Sequence, residues 1–275
     1  MRVPFTKAHG AHNDFLLTWK QQLPAGAEVT PELAVAICAR NVGVGADGWM
    51  LVSKTDPEVA DARIELWNSD GSRSEISGNG TRCAAALLVS EGVVGSEIGQ
   101  AIRIETGAGV KTLKLLEKDA ARFGFEMNMG RAVVEDLHSS IVPGKETVIL
   151  NVGNPQCAVF TTSFDFDWRE LGAQLERHPH FPNRTNVSFI RVTDDHTLDV
   201  RFYERGAGET MSSGTGSTGA VAAAMARGLV SSPVRVLTPA GPLEIRVQVG
   251  ETGDEFLLAG PAEMVASGEF YYDRK

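Results

Sequence analysis

Ser77-Gly78-Asn79-Gly80-Thr81-Arg82-Cys83-Ala84-Ala85-Ala86 has a counterpart later in the chain, Ser213-Gly214-Thr215-Gly216-Ser217-Thr218-Gly219-Ala220, which also runs on into alanines. Each stretch places a serine and a G-x-G turn ahead of a helix-forming run. The offset is 136 residues in a chain of 275, close to half its length. The register holds without a gap, from Gly78 and Gly80 against Gly214 and Gly216 to Gly92 against Gly228. Polar turns precede both copies, WNSDGSRSEI and YERGAGETMS. A period of this length marks a duplicated half-molecule rather than a short solenoid unit. The pattern predicts two similar lobes facing each other.

Alanine is the best helix former, so TRCAAALLVSE and STGAVAAAMAR read as helices of about three turns. Gly92 and Gly228 stand where C-terminal cap glycines belong. Both helices are apolar on most faces and are expected to be buried at the centre of their lobes. WMLVS, ARIELW, AIRIET, VKTLKLL, FGFEMNMG, VILNVG, NVSFIRV, LDVRFYE, VRVLT and LEIRVQV read as strands, and ELAVAICARNV and WRELGAQLERHP as further helices. Strands wrapped twice around one helix give an α+β fold of two pseudo-symmetric lobes with a site in the cleft between them. The expected lobes are residues 1–120, completed by a C-terminal strand at 264–275, and residues 121–263.

Composition narrows the function. With 43% hydrophobic and 22% charged residues the chain is an ordinary globular protein. It has no apolar run of about 18 residues and no signal-peptide pattern. Three cysteines (Cys38, Cys83, Cys157) without metal or CxxC spacing predict a reducing, cytoplasmic setting with no disulfide framework and no metal. A net charge of −9 without a basic cluster disfavours nucleic acid and membrane. Gly43-Val44-Gly45-Ala46-Asp47-Gly48 matches G-x-G-x-x-G, but a helical pattern precedes it and a strand follows, the reverse of a dinucleotide site. A small molecule remains the natural partner.

A helix N-terminus carries unpaired N–H groups and partial positive charge, so two of them can grip one carboxylate. Ser77 and Ser213 are also good N-cap residues, a reading that requires no ligand. Asn13, Asn68, Asn154 and Asn186 fall at strand or turn edges, and Glu204-Arg205 precedes the second turn. Arginine pairs with a carboxylate and glutamate accepts an ammonium, so the set fits an amino acid. Taken singly, each asparagine fits a turn equally well.

KAHGAHNDF, GVGADG, NSDGSRSEISGNGTRC, VGNPQ, RTNVSF and ERGAGETMSSGTG, in this order, resemble the diaminopimelate epimerase family over nearly the whole chain. The resemblance implies a cofactor-independent amino-acid isomerase of lysine and peptidoglycan synthesis, two-lobed and paired as a homodimer. It implies that Gly78-Asn79 and Gly214-Thr215 hold the reacting carboxylate. It assigns Asn13, Asn68, Asn154, Asn186, Glu204 and Arg205 to substrate binding, and the catalytic positions to Ser77 and Ser213.

At both catalytic positions the family has cysteine, one thiolate removing the α-proton while the opposite thiol delivers one to the other face. A hydroxyl about five pKa units less acidic makes the base ~7 kcal/mol harder to form, or about 10⁵ in rate. The family's GNPH motif reads Gly153-Asn154-Pro155-Gln156, which removes an imidazole as well. Cys83, a family position away from the chemistry, is expected in the core. The serines are compatible with isosteric replacement or with natural divergence, and Gln156 points to the second. Three activities stay open: an impaired epimerase, an amino-acid-binding relative without turnover, and a dehydratase-type relative.

Overall fold

The computed structural model describes residues 1–250 and 253–273. In chain order the first half holds β1 (Arg2–Gly10), β2 (Asn13–Trp19), α1 (Pro31–Cys38), β3 (Gly48–Ser53), β4 (Ala62–Asn68), β5 (Arg73–Ser74), α2 (Gly78–Ser90), β6 (Ala101–Thr106), β7 (Gly109–Asp119) and β8 (Arg122–Gly130). The second half holds β9 (Val133–Ser139), β10 (Thr147–Asn151), β11 (Pro155–Phe160), α3 (Trp168–Glu176), β12 (Asn186–Asp194), β13 (Thr197–Glu204), β14 (Gly208–Thr210), α4 (Gly214–Ala226), β15 (Val234–Thr238), β16 (Gly241–Gln248) and β17 (Glu255–Tyr271). The structure is mixed α and β, and its contacts divide it into two units. The first is Met1–Met127 with Gly260–Lys275, and the second is Asn128–Ala259.

Within the first unit β1 and β2 are antiparallel, β2 runs parallel to β3, and β3 and β4 are antiparallel. β4 then pairs with β5 antiparallel and with β6 parallel, and β6 and β7 close a hairpin. Gly48-Trp49-Met50-Leu51-Val52 is buried at every position, as a strand covered on both faces must be. β6 instead alternates, with Ile102 and Ile104 turned inward. The second unit repeats the order of pairings: β10 with β11 antiparallel, β11 with β12 parallel, β12 with β13 antiparallel, β13 with β14 antiparallel and with β15 parallel, β15 with β16 antiparallel.

The alanine-rich helices occupy the same place in each list, between a short strand and a parallel return. α2 is buried at every position from Gly78 to Val89 and packs against β1, β2 and β6. α4 is buried from Gly216 to Ala224 and packs against β10, β11, β12 and β13. Each helix begins at the first glycine, so the G-x-G segment is its opening turn rather than a turn before it. The reason is the serine, whose hydroxyl closes the first turn by accepting the third N–H. At the other end the two helices close identically. Gly92 N–H reaches Val89 O and Val93 N–H reaches Leu88 O, while Gly228 and Leu229 N–H reach Met225 and Ala224 O. Both glycines have φ of +69°, the left-handed conformation of a Schellman cap.

α1 ends at Cys38, short of the ELAVAICARNV reading, because the chain folds back over its own end. Val44 and Gly45 N–H return to Ile37 O, and a Cβ on Gly43 would lie 2.1 Å from Ala36 O. The G-x-G-x-x-G stretch is therefore a helix exit leading into β3. Some strands escaped the sequence reading in whole or in part. β9 is exposed at most positions and so shows no alternation, β1 shows little, and β17 runs 17 residues through a Gly-Pro step. β17 pairs with β1 from Glu263 to Tyr271, where a strand at 264–275 was expected; of that segment Arg274 and Lys275 lie outside the described residues.

Candidate active site

In the first unit the site is built from the start of α2. Ser77 Oγ accepts the Gly80 N–H at 3.2 Å, and the residue is only half-buried. Asn79, on the first turn, is buried and donates from Nδ2 to Asn13 Oδ1 at 3.2 Å. Its own Oδ1 accepts from Arg82 Nη2 one helical turn on. Arg82 is fully buried, and its Nε donates to Pro261 O at 3.1 Å. Burial without a carboxylate partner lowers its pKa to about 10, still well above neutrality. A fixed cation thus stands directly beneath Asn79.

Asn13 is held from its other side. Its Nδ2 donates to Asp47 Oδ2 at 2.7 Å, and the Asp14 and Asp47 backbone N–H groups bond to each other's carboxylates. Arg40 bridges both carboxylates, and Lys7 lies 3.0 Å from Asp14. Burial pushes the Asp14 pKa up, but the hydrogen bonds and charges of Arg40 and Lys7 outweigh it, and the net shift is downward. Asn68 closes the β4 turn, with Nδ2 on Ser72 Oγ at 2.9 Å, while the next residue's N–H reaches Asp47 O. Asn13, Asn68 and Asn79 therefore share one rigid frame centred on Asp47. Sequence reasoning missed that frame, although the GVGADG motif contains the aspartate.

In the second unit Ser213 caps α4 as Ser77 caps α2, with Oγ accepting Gly216 N–H at 3.0 Å. Here the resemblance between the two ends stops. Ser213 is 3% exposed, and its hydroxyl donates to Glu204 Oε1 at 2.6 Å. Part of Glu204 reaches solvent, but its carboxyl is closely surrounded. Burial raises its pKa above the ordinary carboxylate value, against the opposing hydrogen bond from Ser213. The sequence reading gave Glu204 to an ammonium; the structure commits one of its oxygens to Ser213. The hairpin of β13 and β14 pairs Glu204 with Gly208, and the bond to Ser213 is made where the chain leaves β14 for α4.

The remaining predicted residues gather around the same helix end. Asn154 Nδ2 points to Thr215 Oγ1 at 3.4 Å, and its Oδ1 accepts from Gln156 Nε2 at 2.6 Å. Gln156 fills the space beside Gly219 and leaves its own Oε1 buried without a partner. Asn186 donates to Pro155 O at 3.2 Å and accepts the Arg205 backbone N–H at 3.0 Å. The Arg205 guanidinium is exposed and rests on Asn183 O. Beneath that turn lies a residue the sequence reading did not single out. Glu176, almost fully buried, accepts Gly206 N–H and is paired with Arg184 and Arg177. Gly78 and Gly214 are buried at the first helical positions, Thr215 half so.

Each unit thus offers one helix N-terminus with free N–H groups, the first beside a solitary hydroxyl and the second beside a hydroxyl–carboxylate pair. Cys83 and Cys157 are buried, and burial pushes both thiols to about 12, which keeps them protonated and inert. Among the described residues no group of His, Cys, Asp and Glu is placed to hold a metal ion, and no helix is long and apolar enough to cross a membrane.

The model of the family described as Diaminopimelate epimerase matches residues 5–135 and 148–265. A diaminopimelate epimerase of Pelotomaculum thermopropionicum is 37% identical over 284 residues, covering 98% of this chain and 99% of that protein. One from Archaeoglobus fulgidus is also 37% identical, over 280 residues, covering 98% and 96%. Among solved structures, a phenazine biosynthesis protein of the PhzF family from Bacillus anthracis superposes with a TM-score of 0.74 at 16% identity, covering 99% and 100% of the two chains. A hydroxyproline epimerase from Agrobacterium vitis gives 0.70 at 14%, covering 98% and 90%. At those identities the structural likeness speaks for the fold.

Proposed function

Because this chain belongs to the diaminopimelate epimerase family, we propose that it is a cofactor-independent isomerase acting at the α-carbon of diaminopimelate, with Ser77 and Ser213 at the acid–base positions. The observation that carries the reading is the family match across both copies of one capped helix. In this reading the chain is a pair of pseudo-symmetric lobes, each built around its alanine-rich helix, a view supported by the repeated order of strand pairings. Gly78, Asn79, Gly214 and Thr215 receive the reacting carboxylate on backbone N–H groups. Asn13, Asn68, Asn154, Asn186, Glu204 and Arg205 receive the rest of the amino acid. The enzyme works in the cytoplasm as a homodimer, supplying meso-diaminopimelate for lysine and peptidoglycan.

Turnover is slow, because neither acid–base position carries a thiol. A second reading, an amino-acid-binding protein without turnover, is supported by the same fact: the polar frame is complete while both thiols are absent. Solvent deuterium exchange at the α-carbon separates the two, run beside calorimetry with LL- and meso-diaminopimelate. Exchange by the unmodified chain excludes the binding protein. Micromolar binding without exchange favours it. If the Ser77→Cys/Ser213→Cys variant also leaves the diaminopimelate proton in place, the substrate assignment is wrong.

A further inference from the structure

The two serines sit in equivalent caps but in unequal chemistry. Ser213 Oγ both accepts from Gly216 N–H and donates to Glu204 Oε1 at 2.6 Å, a length typical of a hydroxyl held by a carboxylate. Ser77 Oγ accepts from Gly80 N–H, and among the described residues no carboxylate or imidazole hydrogen-bonds it. Gln156 stands where the family resemblance puts an imidazole, and an amide takes up no proton near neutrality.

We propose that this chain is a one-faced proton-transfer enzyme, in which Ser213 and Glu204 exchange the α-proton of an amino acid with retention of configuration and inversion is the minor outcome. The inference rests on the amino-acid reading of the site given above. The step balances within the dyad. As the Cα–H bond breaks, its proton passes to Ser213 Oγ, and the Ser213 proton passes to Glu204. The electron pair of the C–H bond stays on the substrate as a carboxylate-conjugated carbanion, facing the helix N–H groups. Reversal from the same hydroxyl returns a proton to the same face. In between, the proton taken from Cα scrambles between Ser213 Oγ and Glu204, and the dyad exchanges it with solvent, so the hydrogen returned to Cα carries deuterium.

Inversion requires the opposite face to be served by a second acid, and, in the return direction, by a second base. Among the described residues Ser77 has no group to take its proton, so acting as a base leaves a hydroxyl to ionise unaided. Acting as an acid leaves an alkoxide with only one N–H to hold it. General-base assistance is worth about 10²–10⁴ in rate, so exchange outruns inversion by a factor of that order. A single face also discriminates between substrates. L and D centres held by the same carboxylate and side-chain contacts present their α-hydrogens to opposite sides, so only one configuration exchanges.

The experiment incubates the full-length chain in deuterium oxide with LL-, meso- and DD-diaminopimelate, then with a panel of simple α-amino acids. Mass spectrometry reads deuterium at the α-carbon and chiral chromatography reads configuration. The expected result is deuterium entering one configuration at least about a hundredfold faster than isomers form. Glu204→Gln and Ser213→Ala each abolish exchange, and circular dichroism checks their folding. Glu204→Gln/Ser213→Cys recovers part of it, because a thiol needs less help from a base, a rescue that a merely structural Glu204 would not show. Ser77→Cys brings inversion up towards the rate of exchange.

Equal rates of exchange and inversion in the unmodified chain overturn the proposal, as does exchange that survives Glu204→Gln. No exchange by the unmodified chain on any amino acid, with activity on diaminopimelate in the Ser77→Cys/Ser213→Cys variant, overturns it while leaving the family substrate intact. One-configuration exchange on a different amino acid sustains it and overturns the diaminopimelate assignment instead.

Discussion

The ring of Phe202 lies directly against the backbone of Gly216: a Cβ built there would come within 2.8 Å of its Cδ1 and 3.0 Å of its Cε1. Both residues are buried, and the ring belongs to β13, against which α4 packs. The second glycine of the repeated G-x-G is therefore a matter of close packing, with no phosphate needed to explain it. Gly80 holds the corresponding place in α2, where an added Cβ would meet the Met50 Cε methyl at 1.8 Å.

The two neighbours predict different costs. Alanine gains about 1 kcal/mol of helix propensity over glycine, and overpacking costs about 1–3 kcal/mol. A methionine terminus can swing aside, so Gly80→Ala comes out near neutral. A buried phenylalanine ring cannot, and the same Cβ crowds Ser213 Oγ at 2.9 Å, so Gly216→Ala destabilises by about 1–2 kcal/mol. Urea unfolding of both variants checks the order. A larger loss for Gly80→Ala would contradict it.

Glu204 sets the direction of a pH dependence. Its pKa is raised in the folded chain by burial, against the hydrogen bond from Ser213. A carboxyl raised above its unfolded value of 4.5 contributes stability that is fully present below that pH. That contribution is lost as pH rises through the folded value. Glu204→Gln removes the titration and keeps an oxygen for Ser213. The variant is therefore predicted to gain stability over the parent progressively as pH rises above 4.5, with no gain in acid. Denaturant midpoints from pH 4 to 8 test the sign. An isosteric change that stabilises while abolishing proton exchange marks a residue kept for function.

How far the sequence told this story depends on which contacts are local. Alanine runs, cap serines and cap glycines are local signals, and α2 and α4 follow from them, each starting three residues before the predicted run, at Gly78 and Gly214, and ending one residue short of it, at Ser90 and Ala226. Continuous apolar runs such as Trp49–Val52 likewise announce themselves. β9 and much of β17 do not, since strands exposed along one edge carry little apolar periodicity. The individual site asparagines were legible as turn residues, but their partners were not. Asp47 reaches Asn13 across 34 positions, and Arg82 reaches Pro261 across 179. The Glu204–Ser213 bond spans only nine positions, but the hairpin register that sets Glu204 opposite Gly208 carries residue 213 past it, so strand pairing alone does not show it.

Gly92 and Gly228 give a clean test of the repeat. Both have φ of +69°, and at neither would an added Cβ touch any neighbour within 4 Å. The cost of alanine is then the left-handed backbone alone, about 1–2 kcal/mol. Gly92→Ala and Gly228→Ala are predicted to lose equal stability within about 0.5 kcal/mol, and to add in the double variant. Differential unfolding of the three variants measures this. A clear inequality would show that one cap carries a tertiary load the other lacks.

Thiol chemistry separates the inert cysteines from the positions where the family keeps reactive ones. Cys38, Cys83 and Cys157 are buried, and burial drives each thiol to about 12. At pH 8 about one in 10⁴ of each is ionised, and the thiolate is the species that reacts. The native chain is predicted to resist iodoacetamide at pH 8 and to take up three equivalents once unfolded in urea. Ser77 is half-buried at a helix N-terminus, where an N–H points at its side chain. A cysteine in that place is favoured as thiolate by the helix end. The Ser77→Cys variant therefore gains one fast-reacting equivalent in the native state, read by intact-mass spectrometry. Ser213→Cys reacts more slowly, because position 213 is 3% exposed and lies against a carboxylate that opposes ionisation. Faster labelling at 213 than at 77 would reverse the asymmetry on which the one-faced mechanism depends.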